Sequence, residues 1–293
     1  MQTTALRKAP PADLPPVAEL AGTPFFPQTE LKCGPAALAT ALGAVGADVS
    51  PSTLTGEVFL PGREGSLQAE MLAGARRHGA VATRIPSTLE AVLREVAAGH
   101  VVVVLQNLGY GFFPVWHYAV VVGYDLAESE LLMRSGTTRR DVISMRTFEY
   151  TWARSGRWAF VVTTPGAWPV TAKEPAAVEA AIGFERAATP SQRLEVYESA
   201  LARWPANLPF AIGLGNAAHA SGDKAKATAV FRTAGERHGS GAAWLNLSKV
   251  LLEDGQRDAA VQAAEHALQD PLWAEQARET LKALKAAQPT MRP

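Results

Sequence analysis

The stretch QTELKCGPAALATAL, residues 28–42, holds Cys33, the single cysteine among 293 residues. Gly34 and Pro35 follow it, and then an Ala/Leu run. Pro35 suits the first turn of a helix, where its missing N–H is no loss. Ala36, Ala37, Leu38, Ala39, Ala41 and Leu42 mostly favour helix, so the composition predicts one running on from Pro35. Cys33 then stands at or just before a helix N-terminus, where the positive end of the macrodipole favours the nucleophilic thiolate. Five residues upstream, Gln28 carries a side-chain amide able to donate to a developing oxyanion. Taken alone, Cys33 reads as a buried structural residue, because free cysteines are among the most buried side chains.

A second stretch, VWHYAVVVGYD at residues 115–125, changes that reading by placing His117 at the start of a strand-like apolar run. A lone cysteine with a distant histidine is the layout of a thiol enzyme, whose pair meets in the fold and not along the chain. Gln, then Cys-Gly-Pro opening a helix, then His-Tyr opening a buried strand resembles the papain-like bacteriocin-processing (double-glycine) cysteine peptidase family. The resemblance covers about residues 24–165. It implies Cys33 as nucleophile, His117 as general base and acid, and Gln28 as oxyanion donor. In that family an Asp ends the strand after the His strand and orients the imidazole. Here the segment ELLMRSG offers Arg134 and Ser135, and Arg has no acceptor to give. Asn107, Ser135, Asp125 or a backbone carbonyl is left to orient His117, or the pair works as a dyad.

Between the two motifs the reading is helical, with one short strand at residues 81–85. Ser66 is expected to cap a helix running to about His78, and Ser87-Thr88-Leu89-Glu90 has a capping-box pattern. From residue 100 onward HVVVVLQ, HYAVVVGY, ELLMR, DVISM and WAFVVT are β-rich runs, with a helix expected at 147–155. Helices first and mainly antiparallel strands afterwards give an α+β order, as expected for a papain-like domain. Tyr110, Phe112, Phe113 and Trp116, in the loop just before His117, are expected to wall a substrate cleft.

The first 23 residues, with Pro10, Pro11, Pro15 and Pro16, read as a flexible Pro/Ala-rich tether. Such a lead-in also suits an exported protein trimmed of a signal or lipid anchor, a reading preferred here over a cytoplasmic one. PGAWPVTAKEPAA contains the expected linker at 166–176. Beyond it, at 177–287, the chain is helical and repeats: Pro205, His238 and Pro271 are spaced evenly, as are Gly222 and Gly255. That period resembles tetratricopeptide repeats, whose stacks need about three units, so residues 178–187 are expected to supply the first helix. The fold class is therefore an α+β papain-like cysteine peptidase domain followed by an all-α tetratricopeptide-repeat domain.

The 28 basic and 28 acidic residues balance, giving no electrostatic case for nucleic acid or an anionic membrane surface. No apolar run is long enough to span a membrane. His78, His100, His219, His238 and His266 share no ligand spacing with one another or with Cys33, so no metal is expected. No phosphate-binding glycine motif and no cofactor are expected either. The function expected is cleavage of a peptide or protein substrate, with a protein partner or substrate on the repeats. The alternatives are acyl transfer such as transamidation on the same site, and a non-catalytic binding scaffold.

Overall fold

The structure is a computed structural model that describes residues 1–28 and 32–286. Thr29, Glu30 and Leu31 of the cysteine stretch, and Ala287 at the expected end of the repeats, lie outside the described residues. The chain divides into two compact units, residues 1–188 and 189–293.

In the first unit the chain runs α1 (Gln2–Lys8), β1 (Val17–Glu19), α2 (Cys33–Ala44), α3 (Pro51–Val58), α4 (Gln68–Arg77), β2 (Val81–Arg84), α5 (Leu89–Ala97), β3 (Val102–Asn107), β4 (Trp116–Asp125), β5 (Glu130–Ser135), β6 (Thr138–Ser144), α6 (Met145–Ala153), β7 (Ala159–Thr163) and α7 (Glu174–Glu185). The strands form one antiparallel sheet in the order β2-β7-β3-β4-β5-β6, and β1 pairs with the far end of β4. His117 sits directly opposite Gln106 in the β3–β4 register.

Both faces of the sheet are covered. Side chains of β3, β4 and β7 alternate between two cores, which is why these strands read as unbroken Val-rich runs and not as polar/apolar alternation. Tyr118, Val120, Val122 and Phe160 meet Leu38, Leu42, Leu54 and Met71 on one face. Ala119, Val121 and Val161 meet Leu89, Val92, Phe148 and Trp152 on the other. Helix α2 is buried from Gly34 through Leu42, so its apolar all-round composition is that of a helix inside a core and not on a surface.

Local signals set several element ends. Thr88 accepts from Ala91 N at the start of α5, so the cap falls one residue after the Ser87 of the capping-box pattern. Glu90 accepts from Arg94 Nε at 2.8 Å instead of closing the box. Ser144 caps α6, which begins two residues earlier than expected. Ser66 does not cap α4: that helix starts at Gln68 after Leu67, with no side-chain cap. The Ser66 hydroxyl is instead buried, and its carbonyl accepts the Tyr118 hydroxyl at 3.1 Å.

Two expectations about connecting segments are corrected. Residues 1–23 are not a flexible tether. The Glu149 carboxylate accepts from Gln2 N, Thr3 N and Thr3 Oγ1 at 2.7, 3.0 and 2.8 Å, which ties α1 to α6. Arg134, buried on β5, donates to the carbonyls of Ala21 and Thr23 and holds the chain after β1. Nor is 166–176 a free linker. The fully buried Glu95 carboxylate accepts from Val170 N at 3.2 Å and Thr171 N at 2.6 Å, and it also bonds His100. The following helix, α7, packs on β2 and α4 inside the first unit, so residues 178–187 do not open the repeat stack.

The second unit is all helical: α8 (Pro190–Arg203), α9 (Leu208–Ala220), α10 (Lys224–His238), α11 (Gly241–Glu253), α12 (Arg257–Ala267) and α13 (Ala274–Ala286). Successive helices pack on one another. The α9–α10 and α11–α12 turns place Gly222 at φ +86° and Gly255 at φ +76°, a left-handed conformation that favours glycine. These are the equivalent turns of the sequence repeat. No helix among the described residues is long and apolar enough to cross a membrane.

Candidate active site

Cys33 is the first residue of α2, which packs against β4. Its side chain is half-buried. Burial pushes the thiol above its ordinary value, while main-chain N–H groups of Tyr118, Gly34 and Cys33 itself pull the other way. The sequence predicts a lowered value from the helix N-terminus; desolvation outweighs those donors. Tyr118 is the residue after His117, so the sulfur lies against the main chain that carries the histidine. The Tyr118 hydroxyl is itself held above its usual range, first by burial and then by the nearby Cys33.

His117 lies at the start of β4. Its Nε2 stands 2.9 Å from Ser135 Oγ, at the end of β5. Burial holds the imidazole below its ordinary value, against the opposing influence of the Asp141 carboxylate. The structure thus brings together His117 and one of its three expected orienting residues. Asn107 turns the other way: its Oδ1 accepts from Gly109 N at 3.0 Å and Val115 N at 2.9 Å, bracing the loop between β3 and β4. Asp125, at the far end of β4, accepts from Ala127 N and Glu128 N and shapes the turn to β5. A ten-residue strand separates its side chain from the end that carries His117.

Gln28 is not a freely presented amide. Its Nε2 donates to Tyr118 O at 3.3 Å and its Oε1 accepts from Gly136 N at 3.1 Å. Its main-chain N–H donates to Gly136 O at 2.9 Å. The side chain bridges the start of β4 and the turn after Ser135, beside both residues of the His117–Ser135 pair. One Nε2 proton is thereby used and one remains.

The aromatics before His117 fill no core. Phe112 is 79% exposed and Phe113 73%, and Tyr110 and Trp116 are also exposed. Tyr110 stacks on Phe112, and Phe113 meets Phe112 edge-on. The loop continues the hairpin, with Leu108 N donating to Val115 O and Tyr110 N to Phe113 O.

Sequence reasoning missed Tyr118 and Gly136 as partners of this cluster. The tyrosine reads as one more apolar strand position, and a main-chain donor leaves no residue-type signal. Among the described residues no group of three or more His, Cys, Asp or Glu could hold a metal ion.

Cys33 thus opens a buried helix packed on β4 of a two-faced antiparallel sheet, and His117 stands at the head of that strand. The profile of the family described as Peptidase_C39 like matches residues 21–160, just under half of the chain and wholly within the first unit. No curated protein matches the chain. Among solved structures, a putative C39-like peptidase from Bacillus anthracis is 19% identical, with 50% of this chain and 98% of that one covered and a TM-score of 0.41. The peptidase domain of Streptococcus ComA, a bi-functional ABC transporter, is 18% identical, with 48% and 98% covered and a TM-score of 0.39. For the helical unit, a thermophilic tetratricopeptide protein from Thermus thermophilus is 19% identical, with 39% and 64% covered and a TM-score of 0.34.

Proposed function

We propose that the first unit is a cysteine peptidase in which Cys33 attacks a peptide carbonyl and His117 moves the proton. The observation that carries this reading is the hydrogen bond between His117 Nε2 and Ser135 Oγ. It engages one ring nitrogen and leaves Nδ1 for the thiol proton, on the residue next to the main chain where the Cys33 sulfur lies. Because burial keeps both groups neutral at rest, the proton passes from sulfur to imidazole as the substrate is attacked, and His117 returns it to the leaving amine. The remaining Gln28 Nε2 proton and the Cys33 N–H donate to the oxyanion. The exposed aromatics at 110–116 form an apolar wall for the peptide, and the helical unit binds a protein partner or the substrate.

The test is digestion of a peptide library, with new C-termini read by mass spectrometry. Wild type should give products that Cys33→Ala and His117→Ala do not; identical products from Cys33→Ala would contradict the mechanism. Adding a primary amine separates hydrolysis, which yields free carboxylates, from transamidation, which yields amides. A non-catalytic scaffold is the second reading, favoured by the raised Cys33 thiol and by a hydroxyl in place of a carboxylate beside His117. It predicts peptide binding without any new C-terminus.

A further inference from the structure

Tyr118 directs all three of its polar groups at parts of the candidate active site. Its main-chain N–H reaches the Cys33 sulfur. Its carbonyl accepts from Gln28 Nε2 at 3.3 Å. Its hydroxyl crosses to the segment before α4 and donates to Ser66 O at 3.1 Å. The side chain is 2% exposed, lies in the same core as α2 and meets Trp158 edge-on at 6.0 Å. A ring packed in this way gives the hydroxyl one fixed position.

The segment that receives this bond closes on itself. Leu60 N donates to Gly65 O at 2.8 Å around a single 3-10 turn at Pro61–Arg63. Its tip, residues 61–64, is exposed. The Ser66 hydroxyl at its base is buried with no hydrogen-bond partner among the described residues. That hydroxyl lies on the backbone of α2, because a Cβ at Gly34 would collide with Ser66 Oγ and Cβ. The glycine after Cys33 therefore leaves the space that Ser66 fills. An unpaired hydroxyl gains nothing from burial, so the seat depends on other contacts, the Tyr118 bond among them.

We propose that Tyr118 is a positioning residue for Cys33, whose hydroxyl latches residues 60–66 over the first turn of α2 and keeps the thiol partly out of water. The consequence for turnover rests on the peptidase reading of Cys33. Burial is the largest influence on the thiol and raises it; the opposing ones are main-chain N–H groups, with no charged side chain among them. Tyr118 is the titratable side chain beside it, and α4 turns Met71 toward the same backbone. Opening the cover hydrates the sulfur, which favours the thiolate. It also loosens the place from which the sulfur attacks.

Tyr118→Phe keeps the ring and removes the latch. Iodoacetamide labelling of Cys33 against pH should show a midpoint below that of wild type by about 0.5 pH unit or more. On a cleaved library peptide, kcat should fall by about tenfold. A general loss of stability would not move the midpoint of the folded protein. Gly34→Ala should lower the midpoint as well, since the new Cβ displaces Ser66, and it keeps the test open if Tyr118→Phe fails to fold. A wild type without peptidase activity would contradict the preceding reading and leave the labelling midpoint to decide this one. An unchanged or raised midpoint in either folded variant, or an unchanged kcat in Tyr118→Phe, would overturn the proposal.

Discussion

The group beside His117 is the Ser135 hydroxyl, and a hydroxyl differs from a carboxylate in what it can do there. A carboxylate can only accept, so it fixes the ring proton on the nitrogen facing it. A hydroxyl can accept from Nε2–H or donate to Nε2, and only the first arrangement leaves Nδ1 as a base. Ser135→Ala should therefore lower turnover by about tenfold, a part of the 10²–10⁴-fold that a positioned general base contributes. Ser135→Asp should raise turnover and shift the acid limb of the pH–rate profile upward, since a neighbouring negative charge favours the imidazolium. A Ser135→Ala enzyme with unchanged turnover would remove Ser135 from the mechanism. In the unmodified protein, burial depresses the imidazole, so the acid limb should lie below the ordinary histidine value of about 6.5. Burial raises the thiol, so iodoacetamide labelling of Cys33 should show its midpoint above about 8.5; a midpoint below that would mean that the helix-terminal donors win. Gln28→Ala should cost roughly 10²–10³-fold in kcat. Its bond to Gly136 means some stability is lost as well, so the variant's melting must be measured alongside.

Among the elements, those legible in the sequence are the ones that local chemistry writes. Pro35 and the alanine run mark α2, Thr88 marks α5, and valine runs mark β3 and β4. The pairing of Cys33 with His117 rests on resemblance and stays a proposal, and Ser135 is one of the acceptors the sequence left open beside Asn107, Asp125 and a backbone carbonyl. What stayed hidden depends on partners far along the chain. Pro-rich residues 1–23 look like a tether until Glu149, 146 positions from Thr3, collects its main-chain donors. Residues 166–176 look like a linker because Glu95 reads as a polar helix residue, yet it is fully buried. Glu95→Ala strands two main-chain donors and His100, and should destabilise the first unit by about 3 kcal/mol. For a unit of this size that lowers Tm by roughly 6–12 °C. A change within a degree or two would show that these contacts are incidental.

For the whole molecule, two units with separate cores set where the chain can be cut. A non-specific protease should nick near Ala188 and Thr189, and should spare 166–176, whose backbone is bonded to Glu95. Cutting first within 166–176 would restore the simpler picture of a loose tether between domains. The proposed chemistry depends above all on Cys33 and His117 acting as one catalytic unit. A peptide vinyl sulfone probes that coupling, because it alkylates a cysteine efficiently only when a base assists. Mass spectrometry should find the adduct on Cys33 of wild type at neutral pH and lose it in His117→Ala, while iodoacetamide at high pH labels both. Equal vinyl sulfone labelling of the two proteins would contradict the coupling of cysteine and histidine.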